Sequence, residues 1–160
     1  VESYHQYQFV IAGAPSLGYD FYKQFIKEEN VHFVSGRTHD LLSLSYAALV
    51  TSGTATLETA LLNVPEVVCY RGNWISYQIA KRVINLKYIS LVNLIMDAPV
   101  VTELIQGALN TRNLKVELEK LLTPSYREEL INNYKKLRDK LGNSGASDRT
   151  AKAIFSSIKK

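Results

Sequence analysis

The sequence predicts an α/β fold, a doubly wound parallel sheet followed by further helices. Three observations lead there. Short apolar runs alternate with helical segments of about ten residues over the first half of the chain. The runs are continuously apolar, as in strands covered on both faces. Turn residues, Gly, Ser, Thr and Asn, gather just after the runs, where the ligand site of an open parallel sheet lies.

In chain order, "QFVIAGA" (8–14) reads as a strand leading to Pro15, and "GYDFYKQFIKEE" (18–29) as a helix with Tyr19, Tyr22, Phe25 and Ile26 on one face. "VHFVSG" (31–36) is a strand, and "HDLLSLS" (39–45) a short helix with Thr38 as its N-cap. "AALVTSG" (47–53) is a strand, "TATLETALLN" (54–63) a helix, and "EVVCYRG" (66–72) a strand after Pro65. "WISYQIAKRVIN" (74–85) is amphipathic. Strands linked by helices imply parallel pairing, and right-handed crossovers put helices on both faces.

After "KYISLVNLI" (87–95) the pattern turns helical. The segments 98–107, 111–123, 125–142 and 146–158 all read as helices, with Ser147 as an N-cap and Asp148 in a favourable first turn. The expected organisation is one domain over 1–160, with an α/β core to about 95 and a mainly helical remainder.

The 160 residues carry a net charge of +4, with 46% hydrophobic and 21% charged residues, which excludes disordered and fibrous classes. The late basic excess reads as a solvated helix face, not a nucleic-acid surface. A single cysteine, Cys69, precludes an internal disulfide, and within an apolar run it reads as a small hydrophobe. His5, His32 and His39 lack metal-ligand spacing, and His32 inside a strand reads as packing. The ten Tyr are scattered at helical spacing and read as core or interface. No apolar stretch is long enough for a membrane span and no signal peptide opens the chain, so a cytoplasmic location is expected. The chain opens without Met on an early strand pattern, which leads to the expectation of a domain cut from a longer chain.

The sharpest chemical feature is "TSGTATLE" (51–58). Ser52, Gly53 and Thr54 leave a strand and open a helix, whose first N–H groups and positive dipole end face outward. Gly53 lets an anion approach the backbone, and Glu58 stands one turn further in, where a carboxylate can accept from vicinal hydroxyls. Read alone, the turn is either an ordinary connection or a phosphate seat. It is neither a Walker loop nor a G-x-G-x-x-G fingerprint. "SGRTHD" (35–40) offers a second Gly turn with Arg37 and His39. No Ser/Cys–His–acid arrangement is evident, and Ser52 is not in a G-x-S-x-G elbow.

"SGTATLETALLNVPEVVCYR", with "KYISLVNLI" downstream, "VHFVSGRTHDLLSLSYAALVTSGTATLE" upstream and the late "GASDRTAKAI", resembles the lipid-A-disaccharide synthase family. The resemblance covers nearly the whole chain, most specifically residues 31 to 95, and corresponds to the C-terminal, nucleotide-sugar-binding half of a two-domain (GT-B) glycosyltransferase with Rossmann-like halves. Where the family typically has Pro in a Leu-Pro-Asn segment, this chain has Val92.

The resemblance implies a metal-independent, cofactor-free hexosyltransferase. It would move 2,3-diacylglucosamine from UDP to 2,3-diacylglucosamine 1-phosphate, forming the β-1,6 disaccharide of lipid A. Carried over by motif, Ser52, Gly53 and Thr54 would meet the diphosphate and Glu58 the ribose. Gly36 and Arg37 would lie against uracil, and Tyr70, Arg71 and Asn93 would face the donor sugar or phosphate. The catalytic acidic residue and the acceptor pocket would belong to the N-terminal domain of the same enzyme, leaving this chain inactive alone. Residues 146–160 would cross to that domain or self-associate, and the protein would be peripheral to the inner membrane. The alternatives are the UDP-sugar domain of another GT-B enzyme, an N-acetylglucosaminyltransferase or epimerase, and a non-catalytic nucleotide-binding module. A phosphate-responsive signalling domain lacks the Asp cluster it would need, since Asp20 and Asp40 stand alone.

Overall fold

A computed structural model describes residues 4–51, 53–72, 87–142 and 145–158. The expected helix over 74–85 lies outside the described residues. The chain divides into two compact units, Val1–Ala48 and Leu49–Lys160. Parallel strands in open sheets with intervening helices make the α/β class plain, and the described strands form one two-stranded and one three-stranded sheet.

In the first unit, β1 (Phe9–Gly13) pairs in parallel with β2 (Val31–Ser35), Phe9 opposite Val31 and Gly13 opposite Ser35. Gly13 is buried, and a Cβ there would stand 2.5 Å from Cζ of Phe33, so the missing side chain is what admits the ring. Tyr22 packs against that ring at a tilt of 38°, and its hydroxyl accepts from the Ala14 amide at 2.8 Å. The intervening helix α1 (Tyr19–Lys23) is far shorter than the 18–29 expected. The Gln24 side chain donates to the Phe21 carbonyl, the acceptor that a continuing helix would offer to Phe25. Phe25 and Ile26 then bond three residues back, and the helix ends. Helix α2 (Thr38–Leu44) has Arg37, not Thr38, at its N-cap. His32 is exposed, so the packing role expected of it does not hold.

The three-stranded sheet, which belongs to the second unit from Leu49 on, holds β3 (Ala48–Val50), β4 (Glu66–Tyr70) and β5 (Thr102–Ile105) in that order. Helix α3 (Thr54–Leu61) links β3 to β4, the kind of connection parallel neighbours require. Helix α4 (Leu91–Met96) precedes β5, which lies parallel to β4 with Tyr70 opposite Ile105. A 3₁₀ turn (Gln106–Ala108) leads to α5 (Thr111–Leu122), α6 (Pro124–Leu141) and α7 (Ala146–Ile158). Two sequence expectations are corrected here. Residues 98–107 form a strand and a turn instead of a helix, because Val67–Tyr70 supply a backbone ladder for Thr102–Ile105. Residues 90–93 precede the point where the pattern was expected to turn helical, yet they are the start of α4, with the Ser90 hydroxyl accepting from the Asn93 amide.

The core of this unit is Val67 and Val68 of β4, Leu104 of β5, Val92, Leu121, and Leu130, Tyr134 and Leu137 along one face of α6. Helix α5 packs on β4 and β5, while α6 packs against α3, α4 and α5. Arg138 of α6 donates to the Leu61 carbonyl at 2.7 Å, placing a cation at the C-terminal end of α3. Asn63 turns the chain there in the left-handed region, φ 58°. Helix α7 starts one residue before the expected cap. The Gly145 carbonyl takes the Arg149 amide, and Ser147 lies within the first turn. None of its residues is buried, and Ile154, Phe155 and Ile158 are exposed.

Candidate functional site

The turn between β3 and α3 is built around Gly53. Its φ of 116° and ψ of −160° are closed to side-chain-bearing residues at ordinary cost. Gly53 is the N-cap of α3, which begins at Thr54. The Gly53 carbonyl is closed off by Thr56, through its amide at 3.3 Å and its hydroxyl at 2.9 Å. The N–H groups of Thr54 and Ala55, ahead of Thr56, have no i−4 acceptor within the helix. Gly53 and Thr54 are exposed, and a Cβ placed on Gly53 would meet nothing within 4 Å among the described residues. Among the described residues the positive end of this eight-residue helix is uncovered at Gly53, an arrangement that can accept an anion. Ser52 lies outside the described residues.

Glu58 is half-buried on α3, four residues from Thr54 and therefore on the same face one turn along. Helical Cα–Cβ bonds tilt toward the N-terminus, so its side chain leaves the helix on the side of the Gly53 end.

The next strand brings Tyr70, Arg71 and Gly72 to the carboxyl edge of the sheet. Arg71 is exposed, and one Nη2–H of its guanidinium donates to the Leu109 carbonyl at 2.6 Å. Tyr70 is half-buried with its phenol folded over Gly72, where a Cβ would stand 2.7 Å from Oη. At the adjacent end of β5, Gln106 adopts φ 52° and its Nε2 donates to the Gly72 carbonyl at 3.1 Å.

Asn93 is placed differently from the other expected site residues. It is buried at 1% exposure, and its amide closes a ring of hydrogen bonds with the Val101 backbone, Nδ2 to O at 2.8 Å and N to Oδ1 at 2.9 Å. Nδ2 also donates to Glu103, whose carboxylate accepts from the Ile89 and Ser90 amides. Asn93 therefore ties α4 to β5. An Asn93→Ala variant leaves the Val101 amide and carbonyl without partners, and the expected outcome is a loss of about 2–3 kcal/mol in urea unfolding followed by circular dichroism. Glu103 was not among the residues expected from sequence. Its only signal is a lone acid in the largely apolar run "VVTELI", which has no alternation that would mark it as a strand.

Gly36 and Arg37 belong to the first unit. Gly36 takes φ 70° in an open turn after β2, and Nε of Arg37 pairs with Asp40 at 2.9 Å on the surface. Cys69 is half-buried in β4, and burial pushes its thiol pKa up, which keeps it protonated and unreactive. Among the described residues no three His, Cys, Asp or Glu side chains gather as a metal site, and no helix is long and apolar enough to cross a membrane.

Comparison with known proteins agrees with the resemblance. The family model of lipid-A-disaccharide synthetase matches residues 8–156. The chain is 38% identical over 157 residues to a lipid-A-disaccharide synthase of Syntrophus aciditrophicus, covering 96% of this chain and 41% of that protein. It is 35% identical over 152 residues to the enzyme of that name in Anaeromyxobacter dehalogenans, covering 92% and 40%. With the Geobacter sulfurreducens protein of the same name it shares 30% identity over 162 residues, covering 99% and 42%. The chain thus spans about two fifths of the length of these curated relatives.

Proposed function

The chain belongs to the lipid-A-disaccharide synthetase family, and from that premise we propose that it is the donor-binding half of a glycosyltransferase. The reaction moves 2,3-diacylglucosamine from UDP to the 6′-hydroxyl of 2,3-diacylglucosamine 1-phosphate. The hydroxyl oxygen bonds to the anomeric carbon, the bond from that carbon to the diphosphate oxygen breaks, and UDP leaves with the electron pair. The hydroxyl proton passes to an acidic residue of the N-terminal domain.

The observation that carries the proposal is the open Gly53 turn inside the family-matching segment. Charge grows on the leaving diphosphate, and donors held in advance by the fold stabilise it without reorganising. Ser52, Gly53 and Thr54 take the diphosphate, Arg71 adds a cation at the neighbouring strand end, and Glu58 accepts from the ribose hydroxyls. Tyr70 lines the sugar side, and Asn93, whose amide is bound to Val101 and Glu103, acts by holding α4 on β5. On the resemblance alone, the Gly36–Arg37 turn is proposed as a uracil contact. No metal or cofactor is required. The exposed apolar residues of α7 support docking to the N-terminal domain or self-association. Diacylated substrates favour a cytoplasmic protein peripheral to the inner membrane.

The ribose assignment is tested by titrating UDP and 2′,3′-dideoxy-UDP calorimetrically. Glu58→Ala is expected to cost about tenfold in UDP affinity and nothing for the dideoxy nucleotide. Equal losses for both would remove Glu58 from the ribose.

A further inference from the structure

Gln106 has a backbone that its side chain does not favour. A φ of 52° is left-handed, a region that few residues other than Gly, Asn and Asp occupy unless something holds them there. What holds it is visible on both sides. The Leu109 amide donates to the Gln106 carbonyl, closing the 3₁₀ turn, and Nε2 of Gln106 reaches across to the Gly72 carbonyl at the end of β4. The return connection comes from β4 itself, because Nη2 of Arg71 donates to the Leu109 carbonyl at 2.6 Å. Two strand ends are therefore cross-braced by two hydrogen bonds running in opposite directions, with the Tyr70 phenol lying over Gly72.

An exposed arginine normally samples many rotamers, which lowers its value as an anion ligand. Here one of its five donors is fixed on Leu109, which sets the plane of the guanidinium and leaves further donors for a ligand. Gly72 follows Arg71 in the chain and its carbonyl accepts from Gln106, so the two bonds restrain adjacent residues of one strand end.

Resting on the donor-site reading above, we propose that Gln106 is a positioning residue for the diphosphate end of the donor. It fixes the Gly72 carbonyl and through it orients the Arg71 guanidinium toward the terminal phosphate. Gln106 itself touches no substrate.

The test is calorimetric titration of the protein with UDP and with UMP, which lacks the terminal phosphate. Two variants separate the amide from the backbone. Gln106→Glu keeps size and backbone but presents an acceptor to the Gly72 carbonyl, and Gln106→Gly removes the amide while relaxing φ. Both are expected to reduce the preference for UDP over UMP about tenfold, with UMP affinity changed by less than about twofold. A merely structural role would lower the affinities for both nucleotides together, and that result overturns the proposal. So does an unchanged UDP preference in either variant. Failure of the unaltered protein to bind either nucleotide would instead sink the donor-site reading, and this assignment with it.

Discussion

Replacing Gly53 with alanine is expected to lower UDP affinity by about tenfold to a hundredfold. At φ 116° and ψ −160° an L side chain strains the backbone by roughly 1–3 kcal/mol, and the turn relieves that strain by rotating. Rotation redirects the first N–H groups of α3, which are the proposed diphosphate donors, so the loss falls on the ligand as well as on the fold. Stability drops by no more than the strain, which a domain of ordinary stability tolerates. Gly18→Ala is the control, since Gly18 has φ −75° and open space where its Cβ would stand. Calorimetric titration of both variants with UDP checks the expectation. Equal affinities would mean that the Gly53 turn is only a connection between strand and helix.

The second large effect concerns stability. Glu66, the first residue of β4, is 1% exposed, and neither carboxylate oxygen has a hydrogen-bond partner among the described residues. Burial pushes its pKa up from 4.5 to about 9, so the folded protein holds this carboxyl protonated at neutral pH. Tyr134 of α6 lies beside it, its hydroxyl approaching the Glu66 backbone without a well-formed hydrogen bond. Burial and the nearby Glu66 also raise the Tyr134 pKa, so the phenol stays neutral throughout this range.

The folded pKa lies above the unfolded one, so the contribution of Glu66 to stability is complete below about pH 4.5. It is lost as pH rises toward 9, at about 1.4 kcal/mol per pH unit. By pH 7 the loss is about 3 kcal/mol. Glu66→Met removes the titrating group and fills the same space. The expected result is a gain of about 3 kcal/mol at pH 7 in urea unfolding, with the fall between pH 5 and 9 largely abolished. A variant no more stable than the unaltered chain at pH 7, or one keeping the same slope, would show that Glu66 is not buried as an acid.

Much of this architecture was legible because strand and helix differ in hydrophobic period. The runs before Gly13, Ser35 and Tyr70 are largely apolar, and each emerged as a strand close to its expected limits, whereas the run at 47–53 forms a strand only over Ala48–Val50. The failures have separate physical causes. Thr102–Ile105 contains Glu and Leu, which suit a helix, and only the ladder offered by distant Val67–Tyr70 makes it a strand. Helix α1 stops early because a single side chain, Gln24, takes a backbone acceptor, a competition that no apolar period reports.

The site was legible in a similarly uneven way. Gly53 announced itself, since a glycine between an apolar run and a helix marks a backbone that other residues cannot adopt. Gln106 could not, because glutamine carries no expectation of a left-handed φ. Asn93 was expected at a ligand from its motif. Its burial and its bonds to Val101 and Glu103 show a residue engaged in holding α4 against β5.

The central claim is that the Gly53 turn seats the diphosphate of a UDP-sugar. The most direct measurement follows the backbone amide resonances of Gly53 and Glu58 while UDP and then UMP are titrated into the protein. Saturable shifts at both residues, with UDP binding at least about tenfold more tightly than UMP, are the predicted result. Shifts confined to other residues, or UMP binding as tightly as UDP, would contradict it.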